Sequence, residues 1–211
     1  AIVCVDEKPM QVLARLHPTK RGPHGVVRYE YEYKRGGTRS LLGGFDIRTG
    51  EVMGHVVEKR SGDALVAFMN DIADRYPKGP VVVVWDNLNI HYDGADERWT
   101  RFNAAHGNRF RFVYTPLHAS WMNQVEVWFS ILQRRVLRHG SFANAAELEA
   151  AVTGFIGHWN RCEAHPFNWK FRGDFTQTRA HRKAPGTPTC RSSQPNEVMP
   201  PPPPSSCMLV D

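Results

Sequence analysis

No apolar run in this sequence is long enough to cross a bilayer. The longest, Val81–Trp85 and residues 64–69, fall far short of the roughly 18 residues that a spanning helix needs, so no membrane partner is expected. A charged stretch leading into an apolar core is missing from the first residues, and no secretory signal is expected. There is no glycine-rich phosphate loop of the Walker or dinucleotide type, which removes the reason to invoke ATP or NAD. Cysteine is scarce. Cys4, Cys162, Cys190 and Cys207 stand at irregular spacing with no C-x-x-C pair, which suits a reducing compartment such as the cytoplasm and not a disulfide framework.

What is present is an ordinary globular composition with a basic balance. The 211 residues correspond to one domain with an appendage at roughly 150 residues per domain. A chain of this length buries on the order of 70% of its unfolded surface, enough to fold without staples. The net charge of +6 and a pI near 9.3 are compatible with a polyanionic partner, but many basic proteins bind nothing acidic and charge alone does not select one. The chain opens at Ala1 and runs at once into an apolar stretch, so it is expected to be a fragment whose upstream part is missing.

Residues 2–5 read as a short apolar strand closed by Asp6. Residues 17–28 are basic and rich in turn formers, hence a loop, and residues 29–34 alternate Tyr with Glu as an exposed or edge strand does. Residues 38–47 and 51–57 form a hairpin around Arg48, Thr49 and Gly50. Leu65, Phe68, Met69 and Ile72 recur at helical spacing within residues 61–76, with Ser61 as cap. The β-branched run Val81–Trp85 predicts a strand buried on both faces. A helix over 93–105, a strand at Phe110–Tyr114 and helices over 121–138 and 144–159 follow, the last capped by Ser141 or Asn144. This order predicts an α/β fold, a mixed sheet flanked by helices. Beyond residue 175 the pattern collapses into Pro185, Pro188, Pro195 and a proline run at 200–204. Residues 1–175 are therefore expected to be one domain and 176–211 a disordered, proline-rich tail.

Two carboxylates stand at the ends of apolar strands, Asp6 and Asp86. Open sheets carry functional groups at the carboxyl ends of their strands. If those strands are neighbours, the two charges repel, which raises a pKa or recruits a cation. Carboxylate oxygens suit Mg²⁺ or Mn²⁺. A third carboxylate, Glu126, lies on the 121–138 helix. There Val125, Trp128, Phe129, Leu132 and Val136 make an apolar stripe, and Asn123, Glu126, Ser130, Gln133 and Arg134 lie along the other side. Glu126 thus borders the polar face. Trp121 and Trp128, at helical spacing, are expected in the core. Asp46 reads as a hairpin turn residue and not as a ligand.

The stretch 114–136, YTPLHASWMNQVEVWFSILQRRV, closely resembles the catalytic-helix motif of bacterial insertion-sequence transposases of the mariner-related DDE superfamily. Val5-Asp6-Glu7-Lys8 resembles that family's first motif, Trp85-Asp86-Asn87 with His91 its second, and Phe45-Asp46 with Thr49-Gly50 its hairpin. His158-Trp159-Asn160 and Pro166-Phe167-Asn168-Trp169 resemble its C-terminal signature. The resemblance runs from about residue 3 to about residue 177. Met122 stands where Leu is more usual, and the interval from Asp86 to Glu126 is a little long, with the excess expected around residues 105–109.

The resemblance implies an RNase H-like, retroviral-integrase-like fold. It makes Asp6, Asp86 and Glu126 the catalytic, metal-binding residues for two Mg²⁺ or Mn²⁺ ions. The implied chemistry is DNA phosphodiester cleavage and strand transfer, with transposon ends and target DNA as partners and a homodimer as the working unit. Such a bacterial protein is cytoplasmic, on the nucleoid when bound to DNA. Glu7, Asn87, His91, His118 and Asn123 are candidates to orient ligands or substrate. Lys8, Arg134, Arg135 and Arg138 are candidates to contact DNA, as are Lys20, Arg21, Arg28, Lys34, Arg35 and Arg39. No Ser or Cys is assigned a nucleophilic role. Two other readings keep the fold: a catalytically silent transposase remnant that binds nucleic acid non-specifically, and a ribonuclease H or junction-resolving nuclease. The stretch from His118 to Phe129 argues against the latter.

Overall fold

A computed structural model of the chain describes residues 1–17, 20–25, 27–28 and 31–170. The elements in chain order are β1 (Ile2–Arg15), β2 (Lys20–Arg21), β3 (Val27–Arg28), β4 (Tyr33–Asp46), β5 (Val52–Val57), α1 (Gly62–Arg75), β6 (Val81–Trp85), α2 (Arg98–Ala105), β7 (Phe110–Tyr114), α3 (Val125–Leu132) and α4 (Ala145–Cys162). One sheet has the order β5-β4-β1-β6-β7, and β2 and β3 pair separately. β5, β4 and β1 are antiparallel neighbours, whereas β1, β6 and β7 run parallel. This is the mixed sheet that the element order predicts.

Alternation along the central strands sends side chains to two layers. Val3 and Val5 of β1 pack with Leu65, Phe68 and Ile72 of α1 and with Trp99 and Phe102 of α2. Cys4, Met10 and Val12 pack on the other face with Trp128, Phe129 and Leu132 of α3 and with Val152 and Trp159 of α4. The caps follow the sequence. Ser61 accepts from Ala64 N–H, and Asn144, not Ser141, caps α4 by accepting from Glu147 N–H. Ser141 instead accepts from Arg15 N–H at 3.0 Å.

Five local expectations are corrected. β1 does not end at Asp6 but continues to Arg15 beside β4, with a register shift between Gln11 and Leu13. Pro9 obscures that continuation in the sequence. It is tolerated because β1 pairs with β6 only as far as Cys4, so its outer half has an open edge. The basic segment 17–28 contains the two short strands β2 and β3. Of the strand expected at 29–34, Tyr33 and Lys34 are the exposed opening of β4. The helix expected over 121–138 is broken into a 3₁₀ turn (Ser120–Met122), α3 and a π turn (Gln133–Leu137). The helix expected at 93–105 begins only at Arg98, because Asp93 takes the N–H groups of Trp99 and Thr100 and the Thr100 hydroxyl.

The C-terminal signature folds back onto the hairpin. Asn160 caps the open edge of β5 through both its amide atoms at Val52, with Oδ1 accepting from N–H at 2.8 Å and Nδ2 donating to the carbonyl at 2.7 Å. Trp159 Nε1 donates to Gly50 O, and Phe167 stacks on Phe45. Gly50 has a positive φ of 76°, and a Cβ there would collide with the His165 backbone. The compact unit spans Ala1–Asn168. The tail expected at 176–211 lies outside the described residues. Among the described residues no helix is long and apolar enough to cross a membrane.

Candidate active site

β1 and β6 pair in parallel, Ile2 with Val82, Val3 with Val83 and Cys4 with Val84. Carrying that register two residues further sets Asp6 level with Asp86, where β6 has just ended. Asp6 is 6% exposed. Its Oδ1 accepts from Glu7 N–H at 2.7 Å. Asn123, fully buried, donates through Nδ2 to Val5 O at 2.7 Å and stands 3.5 Å from Asp6 Oδ2. Asn123 therefore bolts the leading end of α3 to β1 beside Asp6, and does not lie on a polar helix face as its spacing suggests. Its carbonyl still accepts from Glu126 N–H at 3.0 Å.

The electrostatics tie the three carboxylates together. Burial pushes Asp6 up to about 7, and the charges of Asp86, Glu7 and Glu126 add to that while the Glu7 N–H opposes it. Glu126 is also raised, by burial first and then by Asp86, against the pull of Lys8. Lys8 lies on the same side of β1 as Asp6, two residues on. Burial lowers its pKa and Glu126 holds it up, and its Nζ sits 5.9 Å from the centre of the Phe129 ring. Asp6, Asp86 and Glu126 thus share one field with too little positive charge to balance it.

Glu7 points to the opposite side of β1. Its Oε1 meets His91 Nε2 at 3.0 Å, with both side chains buried. His91 Nδ1 lies 2.9 Å from Asp86 Oδ1 and 3.1 Å from the Asp86 carbonyl. Burial alone would push the imidazole down, but hydrogen bonds and charge from Glu7 and Asp86 outweigh it and raise His91 above its ordinary value. The ring stacks on Trp85 at 4.8 Å. His91 is therefore a buried clamp that bridges Glu7 to Asp86. Asn87 acts nearby on the backbone, donating to Thr115 O at 2.7 Å and accepting from the Tyr92 hydroxyl.

Other expected residues fall elsewhere. His118 is exposed at a positive φ of 62°, and among the described residues no hydrogen bond joins it to the carboxylates. Asp46 is a turn residue, as expected: Oδ1 accepts from Arg48 N–H and Oδ2 from the Tyr76 hydroxyl. Arg134 and Arg138 are exposed on or next to the π turn. Arg135 is held by Glu163 through two hydrogen bonds and lies over Phe155. Lys34 and Arg35 are exposed on the outer half of β4, and the side chains of Arg21 and Arg28 lie outside the described residues. The loop at 105–109 carries Arg109, whose guanidinium donates to Ala73 O and Tyr76 O. The Cys4 thiol is pushed up to about 11 by burial and is inert at neutral pH.

Two residues escape the sequence reading. Gly43 pairs with Asp6 on β4, and a Cβ there would lie 2.6 Å from the Phe129 ring. Its signal was a Gly-Gly pair inside an apolar strand, which marks close approach. Trp121 is 54% exposed and not in the core, because it lies on the 3₁₀ turn and not on a continuous helix.

The donor set fits a hard divalent cation. It offers three carboxylates whose mutual repulsion a cation would relieve, beside a buried Asn123 Oδ1 that has no hydrogen-bond partner among the described residues. Among the described residues no three acidic, His or Cys side chains converge around a single point.

No curated protein sequence matches the chain. Similar solved structures include the Mos1 transposase paired-end complex with left transposon end, a pre-cleavage Mos1 transpososome and the Mos1 strand transfer complex. Their TM-scores are 0.53, 0.52 and 0.53, at 12%, 13% and 12% identity. Each match covers 77% of this chain and 48%, 48% and 47% of the other, so the chain spans about half the length of the transposases it matches. At this identity the likeness is one of fold, and that fold is RNase H-like. A family model described as DDE superfamily endonuclease matches residues 1–149, the stretch that holds Asp6, Asp86 and Glu126, and the chain belongs to that family.

Proposed function

We propose that this chain is the catalytic domain of a bacterial insertion-sequence transposase of the mariner-related type, cleaving DNA phosphodiester bonds and carrying out strand transfer. One observation carries the reading. Asp6 and Asp86 stand level at the mouth of two adjacent parallel strands, and both lie within the field of Glu126. Asp6, Asp86 and Glu126 would hold two Mg²⁺ or Mn²⁺ ions. When bound, such a pair activates a water, or later a DNA 3′-hydroxyl, and steadies the leaving oxygen of an in-line displacement. The chain's own residues build the frame. His91 and Glu7 fix Asp86, Asn123 fixes Asp6, and Lys8 offsets Glu126.

Transposon ends and target DNA are the proposed partners, with Lys8, Arg134 and Arg138 on the DNA path and two copies acting together. The domain is proposed to run over residues 1–175, followed by a proline-rich tail at 176–211, and to work in the cytoplasm on nucleoid DNA. The absence, among the described residues, of three side chains converging on one point favours a second reading, a silent remnant that only binds nucleic acid.

Nicking of supercoiled plasmid separates the two, with Mn²⁺ or Mg²⁺ and with Asp86→Ala in parallel. Metal-dependent nicking that disappears in the variant supports the transposase reading. A folded parent that binds DNA but never nicks supports the remnant. Nicking that survives in the variant overturns the assignment of these carboxylates.

A further inference from the structure

β7 ends at Tyr114, which pairs with Trp85 in the parallel ladder. Thr115 carries that ladder one residue further, its N–H donating to Trp85 O at 2.9 Å. Its carbonyl accepts from Asn87 Nδ2 at 2.7 Å. The Thr115 backbone is thus tied to both neighbours of Asp86 and stands level with it. The alternation of β7 sets the direction of the side chain. Phe110, Phe112 and Tyr114 pack with the α1–α2 layer. The next residue turns to the opposite face, where Cys4 and Val84 meet the α3–α4 layer and where Asp6 also lies. Pro116 keeps the residue before it extended, so the alternation runs on past the strand. Asp6, Asp86 and Thr115 form one row across the ends of β1, β6 and β7.

Thr115 is 7% exposed, and among the described residues its Oγ1 has no hydrogen-bond partner. A buried hydroxyl without a partner is costly, and Val has the same shape without that cost. Asn123 repeats the pattern at the other end of the segment from β7 to α3. It is fully buried and donates to Val5 O, and among the described residues its Oδ1 has no partner. The two unpartnered oxygens flank the carboxylates, Thr115 beside Asp86 and Asn123 beside Asp6. An amide oxygen only accepts, and a hydroxyl can accept. A buried water needs two or more such partners. A small hard cation dehydrates reluctantly and brings waters with it.

We propose that Thr115 is a positioning residue of this site: its hydroxyl oxygen, together with Asn123 Oδ1, holds a hydration water of the divalent cation that Asp6 and Asp86 bind. This rests on the metal-dependent reading above and deepens it. The water donates one proton to each oxygen and keeps its lone pairs for the ion. Thr115 and Asn123 do not touch the ion; they fix the direction of the water it carries. Cation affinity therefore depends on two groups that bear no charge.

The test removes the hydroxyl and keeps the shape, with Thr115→Val, and restores the hydroxyl with Thr115→Ser. The full chain, both variants and Asp86→Ala are compared by thermal melting in EDTA and by calorimetric titration with Mn²⁺ in the absence of DNA. In EDTA, Thr115→Val is expected to melt about 2–4 °C above the parent, because an unpaired buried group has gone. Its Mn²⁺ affinity is expected to fall about two- to tenfold, the worth of one hydrogen bond, while Thr115→Ser stays within about twofold of the parent. A purely structural hydroxyl would move the melt and leave the Mn²⁺ affinity alone. Unchanged Mn²⁺ affinity in Thr115→Val, beside a parent whose binding depends on Asp86, overturns the proposal and leaves the nuclease reading standing. A Thr115→Val chain that melts below the parent in EDTA also overturns it, since the hydroxyl is then partnered within the fold. A folded parent that binds no Mn²⁺, or binds it equally well in Asp86→Ala, overturns both.

Discussion

Gly43 stands directly opposite Asp6 in the β1–β4 ladder, and the space above it is filled by the ring of Phe129. Phe129 is one turn on from Glu126, so the height at which α3 rides over the sheet is set where Asp6 is. A Cβ at position 43 would lie 2.6 Å from Phe129 Cε1 and 2.7 Å from Cζ. The ring is buried in the core and has no free direction to move. Gly43→Ala is therefore expected to lift α3, to cost about 1–3 kcal/mol as overpacking does, and to reduce nicking more than it reduces DNA binding. Thermal melts, nicking and binding check this. Phe129→Leu in the Gly43→Ala background is expected to recover part of the activity, and no recovery would count against the mechanism.

Asp6 gives the metal-free protein an unusual pH dependence. Its folded pKa of about 7 lies above the ordinary 3.8, so between these values the folded state holds a proton that the unfolded state has lost. Stability contributed by this group is present at low pH and falls as pH rises through about 7. In EDTA at about pH 8, Asp6→Asn is expected to melt higher than the parent, by an amount on the order of 2–4 kcal/mol at most. Near pH 4 the advantage vanishes. Mn²⁺ is expected to raise the parent's melting temperature and leave that of Asp6→Asn unmoved. A variant less stable than the parent at about pH 8 in EDTA would refute the buried-charge account.

The sequence shows where the candidate carboxylates stand more readily than how they are held. Asp86 is legible because Val81–Trp85 is too apolar to be anything but a buried strand, and Glu126 because it borders a clear helical stripe. The full course of β1 is not legible: Pro9 and a register shift at Gln11–Leu13 interrupt its alternation, and pairing with β4 overrides both. The break before α3 is hidden for a similar reason. Asn123 has helical spacing, yet its side chain is spent on Val5 O, a contact across the whole fold. The salt-bridged state of Arg135 depends on Glu163, which is brought near only by α4.

His91 is the least replaceable of the supporting residues. It is fully buried and bridges Glu7, itself buried, to Asp86. Removing one partner of a buried pair leaves the other charge without compensation, at a cost of about 3–5 kcal/mol. His91→Ala is expected to lower the melting point accordingly and to abolish metal-dependent nicking by releasing Asp86. Glu7→Gln keeps a hydrogen-bond acceptor for the ring and is expected to cost less. Chemical denaturation of the parent, both single variants and the double variant gives the coupling directly. Effects of His91→Ala and Glu7→Gln that simply add would show that the two side chains act separately.

The basic turn after α3 separates available charge from spent charge. Arg135 is held by both oxygens of Glu163 and is raised above its ordinary pKa by that hydrogen bond, so its charge is already answered within the protein. Arg134 and Arg138 are exposed on the same stretch. Each phosphate contact contributes about 0.9 to the slope of log affinity against log salt for duplex DNA. If this stretch tracks the backbone, Arg134→Ala and Arg138→Ala each reduce the slope by about that amount, whereas Arg135→Ala leaves it unchanged. Glu163→Gln separates engagement from position: it frees the Arg135 guanidinium and is expected to steepen the slope by about one contact. Titrations of one duplex at several salt concentrations measure all four. A slope that falls as far in Arg135→Ala as in Arg134→Ala would mean that DNA displaces Glu163, and the ion pair would then be a resting contact that gives way on binding.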